Sequence, residues 1–140
     1  MKTKLQTSQA SLNRRIKQFY NLLNHRDFER CHEMIDPRVR LKSSSVTLLQ
    51  YMTAGGEFLD HFGRCEIVEL HIDLHLRERS ALYDDRDFAI GKTVWKDERG
   101  QGHAFSERWV RDGRAWYTRS TGFVAPAPLA KRGGDALRTA

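Results

Sequence analysis

Three side chains that can bind a metal ion alternate along one short stretch of the sequence. His71, Asp73 and His75 are two residues apart, so in a β-strand all three project from one face. Imidazole nitrogens and a carboxylate are ligands that zinc accepts. However, no specific fourth ligand accompanies them, and the apolar residues of the stretch lie on the opposite face, which should be the buried one. Our first interpretation is therefore an outer strand face that is either exposed or part of a dimer interface. A metal site is the alternative, and we expect no cofactor.

Two cysteines are the other groups with inherent reactivity. Cys31 and Cys65 have neither metal-binding nor redox spacing, and the basic, polar residues 1–9 are not followed by the apolar segment of a secretory signal. We therefore expect free thiols in a reducing compartment, and hence a cytoplasmic protein. No apolar run is long enough to span a bilayer, so a membrane partner is not expected.

The charge of the chain is basic but well mixed. There are 24 lysines and arginines against 18 aspartates and glutamates, a net charge of +6. Such a balance can indicate a nucleic-acid or anionic partner. Here the two signs are interleaved, as in Lys-Asp-Glu-Arg at residues 96–99, and no basic helical stripe with aromatic residues is present. This pattern is typical of a solvated surface and disfavours nucleic acid as a partner.

Helical periodicity dominates the first half of the chain. Between Ser11 and Asn24, apolar residues recur at the spacing of one helical face. They are Leu12, Ile16, Phe19 and Leu23. Asp27 is a candidate N-cap for a short second helix to about Met34, which must end before Pro37.

A third helix is predicted after a short strand. The alternation of charged and apolar residues over Arg38–Lys42 suggests the strand. Ser43–Ser45 offer N-caps for a helix that runs to about Phe62 and ends at Gly63. Gly55 and Gly56 in its middle predict a kink or a close helix contact.

The apolar period then changes from 3.6 to 2, which predicts strands. Residues 66–77 form the first, whose inward face holds Val68, Leu70, Ile72, Leu74 and Leu76. Strands at about 87–96 and 103–111 follow, and an Asp112-Gly113 hairpin leads to a return strand over 114–124, with Ala115 as an extra residue. Helices followed by an antiparallel meander indicate an α+β domain over residues 11–124. We expect a mobile N-terminus over residues 1–10 and a flexible basic tail over 125–140.

Two segments resemble nuclear transport factor 2-like proteins, the superfamily that includes polyketide cyclases and ketosteroid isomerase. Residues 15–28 (RIKQFYNLLNHRDF) resemble the opening helix and its Leu-Asn-x-x-Asp corner, and residues 107–116 (ERWVRDGRAW) resemble the charged strand, Asp-Gly hairpin and tryptophan. The resemblance implies a cone-shaped, curved antiparallel sheet packed against N-terminal helices, often as a homodimer. It leaves the activity open, because this fold serves many functions.

The same resemblance argues against isomerase chemistry. When the Asn-x-x-Asp corner is aligned with that of ketosteroid isomerase-like members, Phe19 occupies the position of their oxyanion-donating tyrosine. About Ser43 occupies the position of their aspartate base. Phenylalanine cannot donate a hydrogen bond, and serine cannot replace a carboxylate base. Tyr20 could substitute only if the helix were rotated by about 100°.

The resemblance also implies a ligand cavity between the sheet and the helices. Its expected ligand-binding residues are Phe19, Tyr20, Tyr51, Phe58, Phe88, Trp109 and Arg119. Glu107 would be the acid or base there, and Arg119 would bind an anionic or carbonyl group. The competing interpretation is a cross-strand ion pair between Glu107 and Arg119 or Arg108.

Three functions remain open at this stage. The first is a homodimer that binds a small, mainly apolar molecule in the cavity. The second is a cofactor-independent cyclase, dehydratase or hydrolase, with Glu107 as general acid/base and Tyr51 and Arg119 positioning the substrate. The third is a protein-interaction adaptor that uses the outer face of the sheet.

Overall fold

Helices precede an antiparallel sheet in the computed structural model, which describes residues 3–42, 47–76 and 86–123. The helices are α1 (Lys4–Asn24), α2 (Phe28–Glu33), α3 (Pro37–Arg40) and α4 (Leu48–Phe62). The strands are β1 (Glu66–His75), β2 (Phe88–Lys96), β3 (Gly102–Asp112) and β4 (Ala115–Thr118). They form one sheet in the order β1-β2-β3-β4, with antiparallel neighbours and without closure. The predicted α+β class is confirmed. Within the described ranges, no helix has the length and apolar character that crossing a membrane requires.

Helix α1 begins at Lys4, well before the predicted start at Ser11. The cause is a capping box: Gln6 N donates to Thr3 Oγ1, and Thr3 N donates to the Gln6 side chain. Residues 4–10, which were predicted to belong to a mobile N-terminus, are therefore part of this helix. The local signal, a threonine three residues before a glutamine, was present in the sequence.

The strand predicted over Arg38–Lys42 is wrong, because this segment begins as helix α3. The Asp36 side chain accepts a hydrogen bond from Arg38 N, and Pro37 occupies the first helical position, where its missing N–H costs nothing. Helix α4 is capped by Thr47, whereas the predicted caps Ser43–Ser45 lie outside the described residues. Its predicted end at Gly63 is confirmed, with φ at +72°.

Strand β1 contains a bulge that the alternation did not reveal. Its pairing with β2 shifts between Ile67 and Glu69, so Ile67 faces inward and Val68 is 49% exposed. The predicted inward position of Val68 is thus wrong, while Leu70, Ile72 and Leu74 are half-buried against the core as expected.

The last hairpin also differs by one residue from the prediction. Gly113 and Arg114 form the two-residue turn, with Gly113 at φ +67°, and Asp112 pairs directly with Ala115. Ala115 is therefore an ordinary strand residue rather than an extra one. Strand β4 ends at Thr118, and residues 124–140, which include the predicted tail, lie outside the described residues.

The core lies between the helices and the inner face of the sheet. Leu12 and Ile16 of α1 are fully buried there, as are Ala89 and Trp109 of the sheet. Gly91 in β2 lets α1 approach closely, because a Cβ at this position would lie 3.1 Å from Ile16 Cδ1. This packing fixes α1 across the strands that carry Glu107 and its neighbours.

Candidate functional site

A small cavity lies between α1, α4, the inner face of the sheet and the segment that follows β4. Its lining residues are Phe19, Tyr20, Leu23, Tyr51, Phe58, Trp95, Phe105, Glu107, Thr118, Ser120, Gly122 and Phe123. Its volume is about 30 Å³. Since a water molecule needs about 10–15 Å³ on this scale, there is room for about two or three waters. Aromatic rings therefore fill most of the space between the helices and the sheet.

Glu107 is the one ionisable carboxyl among these lining residues. It is two residues from both Phe105 and Trp109, so all three share the inner face of β3, and it lies opposite Gly91 of β2. Thr118 Oγ1 donates a 2.8 Å hydrogen bond to Glu107 Oε2. Part of the residue remains accessible because it faces the cavity, yet protein surrounds the carboxyl group.

Burial raises the pKa of Glu107 to about 7. The Thr118 hydroxyl and the nearby Trp109 indole favour the charged form and oppose this shift. Trp109 Nε1 nevertheless makes no hydrogen bond of normal geometry to any described residue. We therefore regard Thr118 as the principal hydrogen-bond donor to the carboxylate. Glu107 can thus exchange a proton near neutral pH.

Two tyrosines share this cavity with Glu107. Tyr20 and Tyr51 are 6% and 2% exposed. Burial is the main cause of the raised pKa of each phenol, and the charge of Glu107 adds to it. Hydrogen bonding with Thr93 acts in the opposite sense at Tyr20. Both phenols therefore stay protonated, so they are able to donate hydrogen bonds.

The chain's relation to known proteins does not assign a role to this cavity. No family model, curated protein or solved structure matches the chain. Its function must therefore be inferred from the side chains themselves.

The structure brings together five of the predicted site residues. Phe19, Tyr20, Tyr51, Phe58 and Glu107 all line the cavity. Sequence reasoning missed the contributions of β4 and of residues 120–123, because the last segment has no periodic pattern. Thr118 was detectable only through the hairpin register, which places it beside Trp109.

Three predicted ligand-binding residues lie outside the lining. Trp109 packs behind it, with its ring 6.3 Å from that of Phe19. Phe88 lies on the outer face of the sheet, stacked on His75 at 4.6 Å, with the Arg108 guanidinium 3.9 Å from its ring centre.

Arg119 also lies outside the cavity, and its predicted role as an anchor for an anionic or carbonyl group is not supported. Its Nη1 donates to Asp36 Oδ2 at 3.2 Å. Within residues 86–123, Glu107 forms no ion pair with Arg108 or Arg119, so the competing interpretation is wrong as well. The reason is that Ala115 is not an extra residue. Thr118, rather than Arg119, consequently shares the inner face with Glu107.

The alternating histidines of β1 lie on the exposed face, as expected, but they do not converge on a metal site. His71 Nε2 is 3.0 Å from Glu69 Oε2, and His75 Nε2 is 3.2 Å from Asp73 Oδ2. Among the described residues, no group of three or more potential ligands could hold a metal ion. The metal alternative built on His71, Asp73 and His75 is therefore not supported.

Both cysteines are free, as predicted, and both are buried. Cys31 is 0% exposed and Cys65 is 2% exposed. Burial, with smaller contributions from Asp27 and Asp97 respectively, raises the pKa of each thiol to about 12. Neither is an activated nucleophile, since the thiolate is the reactive form.

A buried ion cluster supports the segment next to the cavity. Asp36 is fully buried and accepts two hydrogen bonds from Arg86, at 2.8 and 3.0 Å. Its backbone N–H donates to Thr118 O, and Thr118 N donates to Met34 O. These contacts hold Thr118 in place beside Glu107. Local sequence patterns could not predict this cluster, because Asp36 and Arg86 are 50 residues apart along the chain.

Proposed function

We propose that the protein binds a small, mainly apolar molecule in this cavity, with Glu107 as its polar anchor. The observation that supports this proposal is a carboxyl group with a pKa near 7 in a wall that is otherwise largely aromatic. Ligand sites commonly combine an apolar lining with a few polar groups that fix orientation. A protonated Glu107 would donate a hydrogen bond to a carbonyl, and the charged form would accept one from a hydroxyl.

Ligand entry requires one wall of the cavity to move. The more accessible lining residues include Ser120, Gly122 and Phe123, after the end of β4. The Phe123 ring packs against Tyr51 at 4.9 Å and Phe58 at 5.4 Å. Displacement of this ring would open the cavity to a ligand larger than water. A Phe123→Ala variant should therefore bind larger apolar molecules than the wild type.

The test uses two probes of opposite hydrogen-bonding character. Acetophenone offers only an acceptor, whereas phenol at pH 6–8 can donate. We expect the affinity for acetophenone to fall and that for phenol to rise as the pH passes through 7, because Glu107 loses its proton. In Glu107→Gln both affinities should be independent of pH. Binding would be followed by amide chemical shifts of the cavity residues. Wild-type affinities that do not change between pH 6 and 8 would exclude Glu107 as the anchor.

A second candidate is acid–base catalysis by Glu107. A general acid/base works best when its pKa lies near the working pH, and the pKa of Glu107 meets this condition. Tyr20 and Tyr51 could then position an oxygenated substrate. Under this hypothesis, of a cofactor-independent cyclase, dehydratase or hydrolase, Glu107→Gln retains probe binding and loses turnover by about 10²–10⁴-fold. Without turnover in the wild type, the binding role stands alone.

We also propose membership of the nuclear transport factor 2-like superfamily and a homodimer formed through the outer sheet face. Support comes from the order of helices and meander strands, and from an outer face where half-buried Ile90 and Val94 flank Lys92. Light scattering on wild type and Val94→Lys tests this: the wild type should be a dimer and the variant a monomer. A monomeric wild type would overturn the dimer and leave the adaptor hypothesis for this face.

A further inference from the structure

A second concave surface lies between α1 and the turn that joins β3 to β4. It is an open groove of about 220 Å³, separate from the cavity at Glu107. Its lining residues are Ser11, Arg14, Arg15, Gln18, Arg114, Ala115 and Trp116. Three guanidinium groups are thus gathered around one groove whose lining contains no carboxylate.

The arginines of this groove lack the carboxylate partners that several other arginines have. Arg26 pairs with Asp60, for example, and Arg111 pairs with Asp87. Within residues 3–42, 47–76 and 86–123, no such partner is found for Arg14, Arg15 or Arg114.

Helix α1 adds to the positive potential. It contains Lys4, Arg14, Arg15 and Lys17 and has no aspartate or glutamate along its length. A concave surface lined by charges of one sign concentrates oppositely charged ligands. The mixed charge that the sequence shows on average is therefore not evenly distributed in space.

Arg15, one of the groove residues, is held in a fixed position. Its Nε donates to Trp116 O at 2.9 Å, and its Nη1 donates to Gln18 Oε1 at 3.3 Å. Its guanidinium also lies 5.7 Å from the centre of the Tyr117 ring. This arrangement leaves the Nη2 donors for a ligand, at little further cost in side-chain entropy.

We infer that this groove binds the phosphate group of a small molecule. A phosphate carries up to two negative charges and several acceptor oxygens, which matches a rigid Arg15 together with the exposed Arg14 and Arg114. The Ser11 hydroxyl adds a neutral hydrogen-bond donor beside them. This inference does not depend on the role of Glu107.

The experiment titrates the full chain with pyrophosphate, followed by the amide shifts of Ser11, Gln18 and Ala115. We expect saturable binding, weakened about tenfold or more in Arg14→Gln and in Arg114→Gln, because each loses a charge-assisted hydrogen bond. Both side chains are exposed, so the fold should be unaffected. Arg15 is left unchanged, since it also bonds to the backbone of β4.

Arg64→Gln is the matched control. Arg64 is exposed, lies outside the groove, and precedes Cys65, which bonds to Asn24 at the C-terminal end of α1. Affinity within about twofold of the wild type supports a site, since exposed charges more than about 10 Å away are largely screened. Equal losses in Arg64→Gln and Arg114→Gln would show non-specific attraction and overturn the inference. Tight binding of a single-stranded oligonucleotide, without saturable pyrophosphate binding, would overturn it in favour of a nucleic-acid surface.

Discussion

Thr118 in β4 and Glu107 in β3 are joined by a 2.8 Å hydrogen bond across the inner face of the sheet. The hydroxyl stabilises the charged carboxylate, whereas burial stabilises the protonated acid. Burial has the larger effect, so the pKa of Glu107 is raised to about 7. The proton on this group is therefore linked to the stability of the fold.

Glu107→Gln should stabilise the protein at pH 8 and have little effect at pH 4. Glu107 in the fold binds its proton more tightly than in the unfolded chain. The stability that this tighter proton binding provides is fully present below the usual pKa of the carboxyl, near 4.5, and is lost as the pH rises through 7. The loss reaches about 3 kcal/mol at most, and a neutral glutamine avoids it. Urea unfolding at both pH values checks this. Glu57→Gln, at an exposed site in α4, is the control. Equal destabilisation by Glu107→Gln at pH 4 and pH 8 would contradict it.

Asp36→Asn should destabilise the protein by about 3–5 kcal/mol, because it removes the buried carboxylate charge that accepts two hydrogen bonds from Arg86, and the contact of Arg86 with Asp112 is longer, at 3.6 Å. Asparagine is also a good N-cap, so the cap of α3 is retained and the charge is the main change. Asp60→Asn, which breaks the exposed pair with Arg26, should cost only about 0–1 kcal/mol. Similar losses of unfolding free energy in the two variants would show that the buried pair is not formed.

Asp36→Asn should also make the free energy of unfolding less dependent on pH in acid. Burial alone would raise the pKa of Asp36, but hydrogen bonds and charge from Arg86, with smaller contributions from Arg38 and Arg119, lower it overall. The stability gained from this carboxylate is present above its usual pKa and is lost as the pH falls through the lowered value. Unfolding measured from pH 6 down to pH 2 should therefore decline less steeply in Asp36→Asn. A decline as steep as that of the wild type would contradict this prediction.

Cys31 and Cys65 should react with a thiol reagent only when the protein opens. Both are at most 2% exposed, and each thiol has its pKa raised to about 12 by burial. We expect slow labelling at pH 8 under native conditions and fast labelling in denaturant. A Thr53→Cys variant, at an exposed position of α4, supplies a fast-reacting control. Native labelling of either natural cysteine at the rate of this control would rule out the described burial.

Local patterns predicted the elements well, because the signals for helices and strands lie within a few residues of one another. Of the cavity residues expected from the resemblance, the four on the predicted helices, Phe19, Tyr20, Tyr51 and Phe58, do line the cavity. Pairing between strands is different. The bulge after Ile67 depends on how β1 aligns with β2, and this information is absent from the β1 sequence itself.

The polar part of the site depended on contacts between distant residues. Asp36 bonds to Arg86 and Arg119, so Arg119 is occupied elsewhere and the cavity contains a threonine in place of the expected cation. No periodic pattern could reveal this exchange. The face of β3 on which Glu107 lies, by contrast, follows from its two-residue spacing from Trp109, because residues i and i+2 of a strand share a face.

Neighbouring glycines in α4 should respond to alanine in opposite ways. A Cβ at Gly55 would lie 2.5 Å from Phe28 Cε1, whereas one at Gly56 would meet nothing within 4 Å. Gly56→Ala should therefore stabilise the protein by about 1 kcal/mol through helix propensity. Gly55→Ala should destabilise it by about 1–3 kcal/mol, because the buried Phe28 ring must shift.

Denaturant unfolding of both variants measures the difference between the two glycines, and Phe28→Leu identifies its cause. In that background the smaller side chain should relieve much of the cost of Gly55→Ala and leave the gain from Gly56→Ala unchanged. Phe123, whose ring lies 3.2 Å from the same Cβ position, lines the cavity. Gly55→Ala should therefore also alter probe binding at Glu107, while Gly56→Ala should not. If Gly55→Ala were as stable as Gly56→Ala, α4 would not pack against Phe28 as described, and this wall of the cavity would be wrong.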